Sequence, residues 1–407
     1  MECGTRISRY REVTEGKKTF YQIVLTETPF YPEGGGQVGD KGRIFSANEE
    51  VAVFNTKKEN DLIIHYCNKL PENLTSEFTA EIRQDLRTAT TLNHTSTHLL
   101  QAALRQVLGD HVAQKGSLVN PEVLRFDFSH FSKVEEEQLE EIETIVNAKI
   151  NEGIALDEKR SIPFDDAIKA GATALFGEKY GEEVRMITFD PNFSIELCGG
   201  THVNNTKEIG VFKIVTESSV AAGVRRIEAL TGQKALEYFK EKENTLSQVN
   251  EILKKPKDIV KTVQQLVDEK AQLLKQIEVF ELEKGKQIKK DLEAKVVAKN
   301  GLNYLIEDIG DSNADTVKQI AFELRNSIDN LVMVIGAQSN NKPSLSIMLS
   351  DDVVATKEWN AGKIVRELAK EIKGGGGGQA FFATAGGKNA AGLPAALSKA
   401  KELFELN

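Results

Sequence analysis

The chain has 407 residues, 40% of them hydrophobic and 28% charged, with a formal net charge of −9. That length calls for about two to four domains, the composition is that of a soluble globular protein, and the acidic balance speaks against a surface that binds nucleic acid all over. No run of about 18 apolar residues offers a membrane span, Met1–Arg11 is too polar for a signal peptide, and cysteines at 3, 67 and 198 make no disulfide framework, so a reduced, cytoplasmic setting is expected.

Residues 1–79 read as β, a small barrel or sandwich. Phe20–Leu25, Val51–Phe54 and Leu62–Tyr66 are short runs rich in β-branched and aromatic residues, separated by turn residues. Between the first two runs, Thr28–Asp40 carries the consecutive glycines Gly34–Gly36, a loop whose backbone can approach a ligand closely. Gln37 and Asp40 are its polar candidates for substrate contact.

Residues 80–232 mix helix and strand, an α+β region. Arg83–Leu108 repeats apolar residues at helical spacing (Leu92, Leu99, Leu100, Ala103, Val107) and carries Asn93-His94-Thr95-Ser96-Thr97-His98. Histidines at i and i+4 lie one turn apart on one helix face and can reach a single ion. His111–Val119 turns into a strand, and Leu124–Phe128 alternates as another. Val134–Asn151 is an amphipathic helix with Leu139, Ile142, Ile145, Val146 and Ile150 on one face. A shorter helix is expected over Asp165–Phe176. Val184–Phe189 and Ile209–Thr216 read as strands flanking Cys198-Gly199-Gly200-Thr201-His202, a Gly-rich turn with a second pair of potential ligands. We expect His94, His98, Cys198 and His202 to converge on one ion, and a thiolate with three imidazoles suits Zn2+. Either motif alone is weak. The joint pattern is stronger, because three of the six histidines and one of the three cysteines fall in these two stretches.

Residues 233–299 change texture: no glycine from Lys234 to Lys284, and an abundance of Glu, Lys, Gln and Leu. Pro256 should split the stretch into two helices. In the second, Ile259, Val263, Leu266, Leu273, Ile277 and Phe280 follow heptad spacing with Lys270 at the skipped position, a coiled-coil-like seam that loses register by Gly285. The expected role is a helical spacer or hairpin.

Residues 300–407 read as α/β, with buried strands at Leu331–Gly336 and Leu345–Leu349 and helices at Asn360–Lys373 and Leu393–Leu406. Between those helices lie five glycines, Gly374–Gly378, then Gln379. Beside eight basic and three acidic residues over 357–401, the run reads as a backbone-lined contact surface for phosphate or base rather than a flexible linker.

Four places carry a resemblance to the C-terminal half of alanyl-tRNA synthetase: Thr28–Gln37, the His94/His98 helix, Cys198–His202, and Gly223-Val224-Arg225-Arg226-Ile227-Glu228-Ala229. The match is collinear over essentially the whole chain, and the Gly-rich end resembles that family's last domain, although Gln379-Ala380-Phe381-Phe382 stands where many members are more basic. The resemblance implies hydrolytic editing, the deacylation of mischarged Ser-tRNA(Ala) and Gly-tRNA(Ala), in a chain without the aminoacylation half, so ligase activity and ATP use belong to the parent enzyme. A pocket built for alanine cannot exclude glycine and rejects a small added hydroxyl poorly, so a second, hydrolytic site is required.

Carried over residue by residue, His94, His98, Cys198 and His202 are the zinc ligands, and the first three with Gln114 form the catalytic set. Gln37, Asp40, Arg225, Arg226, Gly376, Gly377, Gly378 and Gln379 contact substrate or tRNA. Whether zinc activates a water or orients the substrate stays open, as does how tightly His202 binds. His65, His111, His130, Cys3 and Cys67 are read as structural. The implied partners are tRNA(Ala) and a second copy of the chain, met through the spacer and the last domain. Two other readings compete: a free-standing trans-editing deacylase, against which the abrupt start weighs, and a non-catalytic tRNA-binding module with structural zinc. A phosphoesterase, suggested only by the last domain, would need clusters of Asp and His that the sequence lacks.

Overall fold

A computed structural model describes residues 1–174 and 180–406, and forms two compact units, Met1–Glu251 and Ile252–Asn407. The first unit opens with seven strands: β1 (Glu2–Thr5), β2 (Ile7–Glu15), β3 (Lys18–Leu25), β4 (Gly42–Phe45), β5 (Glu50–Glu59), β6 (Leu62–Cys67) and β7 (Phe78–Ile82). Their order is β1-β7-β4-β5-β6-β3-β2. Only Arg6 separates β1 from β2, so one stretch of chain forms both edges and the sheet closes on itself as a barrel. Strand alternation turns Ile23, Ile44, Val51, Val53 and Ala80 inward, where Phe30 and Phe78 complete the core.

Then follow α1 (Gln84–Leu108), β8 (Gln114–Val119), β9 (Leu124–Ser129), α2 (Glu136–Glu152), β10 (Asp157–Pro163), α3 (Phe164–Lys169), β11 (Glu183–Phe189), β12 (Ser194–Leu197), β13 (Phe212–Ala221), β14 (Val224–Thr231) and α4 (Gly232–Ile252). These strands make two antiparallel sheets, β13-β14-β9-β8 and β10-β11-β12. Leu99, Leu100 and Leu104 of α1 pack with Phe126 and Phe128 of β9 and with Ile142, Val146 and Ile150 of α2. A capping box of Glu135 and Gln138 starts α2.

Two sequence expectations need correction here. The helix expected over Asp165–Phe176 ends at Lys169, where Gly171 takes a φ of 90° and turns the chain; positions 175 and 176 lie outside the described residues. The strand expected from Ile209 begins at Phe212, because Thr206–Ile209 is a single 3-10 turn closed by Gly210.

The second unit holds α5 (Ile259–Glu293), β15 (Val297–Lys299), β16 (Leu302–Asp311), α6 (Ala314–Ser327), β17 (Leu331–Ser339), β18 (Lys342–Leu349), α7 (Asp351–Lys357), α8 (Ala361–Leu368), β19 (Gly375–Gly378), β20 (Phe382–Gly386) and α9 (Leu393–Leu403). Pro256 falls in the break before α5, and Asp258 caps that helix by accepting from Lys261 N. The sheet order is β15-β16-β17-β18-β20-β19. Its parallel pair, β16 and β17, is joined through α6, and apolar cores cover both faces. Along α5 the heptad residues Val263, Leu266, Leu273, Ile277 and Phe280 are 42–68% exposed, while Ile288 and Leu292 near its end join the core shared with α6.

The glycine run, read from the sequence as a backbone-lined contact surface, takes regular secondary structure. Gly375–Gly378 is one of the two edge strands of this sheet, and side chains on Gly376 and Gly378 would overlap the β20 backbone. No described helix is long and apolar enough to cross a membrane.

Candidate functional site

The middle turns of α1 are polar and yet buried: Asn93, His94, Thr95, Ser96, Thr97, His98 and Gln101 are all inside. Such burial is unfavourable unless the polar groups find partners. Asn93 is fully engaged, donating from Nδ2 to Asn120 O at 2.7 Å and accepting at Oδ1 from Thr231 Oγ1 at 2.7 Å. Thr97 donates back to Asn93 O at 2.8 Å.

The Cys198 loop lies against this face, held by Arg185 of β11. That guanidinium donates to Cys198 O at 2.9 Å and to Gly200 O at 2.5 Å, and pairs with Glu158 at 2.6 Å. Gly200 is the point of closest approach, because a Cβ there would overlap Cε1 and Nδ1 of His94. The barrel's glycine loop closes the third side. Val119 N donates to Gly36 O at 2.7 Å and Val38 N to Val119 O at 3.0 Å, so the loop is laced to the end of β8. Gly36 has a φ of 80°, and a Cβ on it would sit 2.8 Å from Ser117 Cβ, so two constraints select glycine.

These three walls bring His94, His98, Cys198 and His202 together. One ligand atom from each lies within 4.8 Å of all the others. Cys198 Sγ is 3.3 Å from His94 Nε2 and 3.4 Å from His202 Nε2, and the three imidazole centroids are 4.5–5.2 Å apart.

Outside the cluster, His94 Nδ1 lies 2.6 Å from Gln37 Oε1, which also accepts from Thr201 N at 3.0 Å. A backbone N–H can only donate, so the Gln37 atom is the amide oxygen, and the proton of His94 sits on Nδ1. His202 Nδ1 meets Thr95 Oγ1 at 3.1 Å. Partners of this kind fix the tautomer and turn Nε2 inward. His98 Nδ1 faces Glu196 Oε2 at 3.7 Å and makes no hydrogen bond.

Burial pushes His94 down to about 4, with the Arg185 charge adding to it. Burial likewise holds His98 and His202 well below the usual imidazole value, reinforced by the neighbouring histidines. Burial raises Glu196 to about 8, opposed by the charge of Arg105. The rings are therefore neutral, the form in which imidazole ligates. Three neutral imidazoles and one sulfur, with outward nitrogens braced on two of the rings, make a candidate metal site.

Of the other residues singled out in the sequence, Gln37 joins this cluster, is fully buried, and leaves its Nε2 without a partner. Asp40 is an internal clamp. It pairs with Arg87 of α1 through both carboxylate oxygens and accepts from Tyr31 N at 2.6 Å. Gln114 opens β8 opposite Phe128, half-buried. Arg225 makes a two-pronged pair with Glu217 at 2.5 and 2.6 Å, and Arg226 one with Asp127 at 2.6 and 2.8 Å. Gly376, Gly377 and Gly378 sit in β19, and Gln379 is exposed in the turn to β20.

Sequence reasoning missed Thr95, Arg185, Glu196 and Gly200. One signal was available for Thr95: a run of polar residues on the otherwise apolar, core-facing side of a helix. Arg185 and Glu196 gave none, since a charged residue in a strand ordinarily points to solvent.

Comparison with known proteins agrees with the motifs. The model described as "Threonyl and Alanyl tRNA synthetase second additional domain" matches residues 184–228, and the DHHA1 domain model matches residues 301–406. The model described as "tRNA synthetases class II (A)" matches residues 5–87, so a synthetase model reaches into the barrel, where the motifs alone suggest no likeness to the aminoacylation half. Alanine–tRNA ligase of Cytophaga hutchinsonii is 50% identical over 99% of this chain and 46% of its own length. That of Christiangramia forsetii is 51% identical over 100% and 46%, and that of Bacteroides fragilis 50% over 99% and 46%. The chain spans about half the length of the curated relatives it matches, and over that span it is related to alanyl-tRNA synthetase from end to end.

Proposed function

We propose that this chain hydrolyses mischarged tRNA, removing serine and glycine from tRNA(Ala), and that Zn2+ held by His94, His98, Cys198 and His202 is its cofactor. The observation that carries the reading is the convergence of these four donors on the polar face of α1, two of them, Cys198 and His202, coming from residues 184–228, the stretch matched by the second additional domain of threonyl and alanyl tRNA synthetases. Zinc bound there would hold the Cys198 loop against α1 and act as a Lewis acid toward the aminoacyl ester or its amino group.

The chain's own residues supply the rest. Gln37 Nε2 is the unpartnered donor beside the cluster, suited to a carbonyl oxygen or to the seryl hydroxyl that alanine lacks. Gly36 and Gly200 let backbone close in around a small acyl group and exclude bulk water. Gln114 is proposed to read the substrate or position water from the start of β8.

In this reading the barrel (1–79), the metal-bearing α+β region (80–232), the helical spacer (233–299) and the last region (300–407) have separate tasks. The last region contacts tRNA, and a second copy of the chain covers the apolar stripe of α5. Charging of tRNA is not expected of this chain.

The test is to incubate the protein with seryl-tRNA(Ala) and with alanyl-tRNA(Ala), beside Cys198→Ala. The seryl ester should be lost far faster than background, and the variant should be slow. Loss at the background rate would refute editing; equal loss with the variant would remove the metal from it. The reading of a structural metal in a tRNA-binding module predicts tRNA binding without ester loss.

A further inference from the structure

We propose that Glu196 is the positioning residue of His98, the third member of an outer ring around the metal-binding imidazoles. This rests on the metal reading above and adds to it a residue that the ligand motifs do not contain. Two of the three imidazoles have a partner for the outward nitrogen, Gln37 Oε1 for His94 and Thr95 Oγ1 for His202. The third, His98 Nδ1, is buried with no hydrogen bond, and the polar atom facing it is Glu196 Oε2 at 3.7 Å.

An unpaired ring N–H in the interior is unfavourable by about 1–3 kcal/mol. A buried carboxyl group beside it is the natural acceptor for that N–H. Glu196 is 7% exposed, on β12, and His98 is 5% exposed, on α1. Among the described residues neither has an ion-pair partner closer than the other. The separation is about 0.7 Å beyond hydrogen-bond length, a gap that a small side-chain rotation closes.

The two groups come from opposite walls. His98 is fixed by the helix that carries His94. Glu196 stands two residues before Cys198 on the strand that feeds the ligand loop, so a bond between them ties both halves of the site at a second point. The consequence is specific. With Nδ1–H of His98 given to the Glu196 carboxyl group, Nε2 is left as the lone-pair nitrogen and points inward with those of His94 and His202. Without Glu196, the His98 ring is free to take either tautomer or to turn its donor away.

Zinc competition against a chromophoric chelator tests this, using the full chain as wild type, Glu196→Leu and Glu196→Gln. The leucine variant should bind zinc about 10–100-fold more weakly, the range for loss of an outer partner. The glutamine variant keeps an acceptor oxygen and should stay within a few-fold of wild type. Equal affinity of wild type and Glu196→Leu would overturn the proposal.

The second readout is the ring-nitrogen NMR spectrum of the metal-free protein. Glu196→Gln should shift the Nδ1 proton and nitrogen resonances of His98 and leave those of His94 and His202 in place, a selectivity that a purely structural role would not produce. Unmoved His98 resonances overturn the inference, and this arm stands even if the leucine variant fails to fold. A wild-type protein that takes up no zinc would refute the metal reading, while the His98 resonances would still decide on Glu196.

Discussion

The long helices α1 and α5 depart from ordinary burial in opposite directions. Over its middle turns α1 hides Asn93, His94, Thr95, Ser96, Thr97 and His98, whereas α5 shows Val260, Leu266, Leu273, Ile277 and Phe280 to solvent. In α1 the departure is compensated inside the chain by the Asn93 and Thr97 hydrogen bonds and by the Arg87–Asp40 clamp. In α5 no such compensation comes from its own unit, because the exposed stripe precedes the residues that pack on α6. A buried polar face marks a site already built; an exposed apolar face marks a surface still to be covered.

That contrast can be broken at several points. The largest effect on metal uptake should come from Gly200→Ala, whose Cβ overlaps the His94 ring. Zinc uptake should fall by about 100-fold or more, at or beyond the top of the range for outer-shell changes, and an unchanged titration would show that the loop can retreat at no cost. Next is Arg87→Ala. Arg87 and Asp40 have side chains 11% and 7% exposed, and removing one partner of a buried pair costs about 3–5 kcal/mol. Urea unfolding should show it, and a loss under about 1 kcal/mol would mean that water reaches the clamp.

A buried polar group away from α1 sharpens the comparison. His65 is 0% exposed in the barrel, with Nε2 at 2.7 Å from Thr28 Oγ1 and Nδ1 donating to Ile23 O at 3.0 Å. Burial lowers it to about 4, with the Ile23 bond opposing. Its folded value lies below its unfolded value, so the unfolded chain takes up the proton first. Stability is full above about pH 6.5 and is lost as pH falls through about 4, by up to about 3 kcal/mol. His65→Gln should remove that part of the acid slope, and an unaltered slope would contradict the assignment. The smallest effect on stability belongs to α5. Ile277→Lys should leave unfolding within about 0.5 kcal/mol of wild type while sedimentation shows weaker self-association; a large loss of stability would mean that the stripe packs within the chain.

How much was legible follows the same divide. The helix with His94 and His98 could be read because its spacing obeys the helix period on both faces, and the ligand pairs stand out by residue type alone. The Pro256 break and the α5 stripe were legible for the same reason. The glycine run of 374–378 was not: five glycines carry no facial pattern, and their role is set by β20 and by Gly362 packed against Gly378 O, contacts that no local rule contains. The clamp at Asp40 was not legible because its partner, Arg87, is on another element. Strands such as Ile7–Glu15, with a burial pattern that is almost wholly exposed, lack the alternation by which a strand is recognised and are set by pairing with β3.

The bond between Gln37 Oε1 and Thr201 N spans 164 positions, and the contact of His94 with Cys198 spans 104. Loops of that size close slowly and only after both ends exist. A growing chain therefore exposes the buried polar face of α1 until residue 202 has been made. During that interval the histidines of the helix lack Cys198 and His202, the barrel's glycine loop has no Thr201 to hold, and the first unit lacks the wall that covers its most polar interior. Assembly of this site is in effect a checkpoint on completion of the first unit, and a chain truncated before Cys198 should be recognised as unfinished by proteases that the whole protein resists.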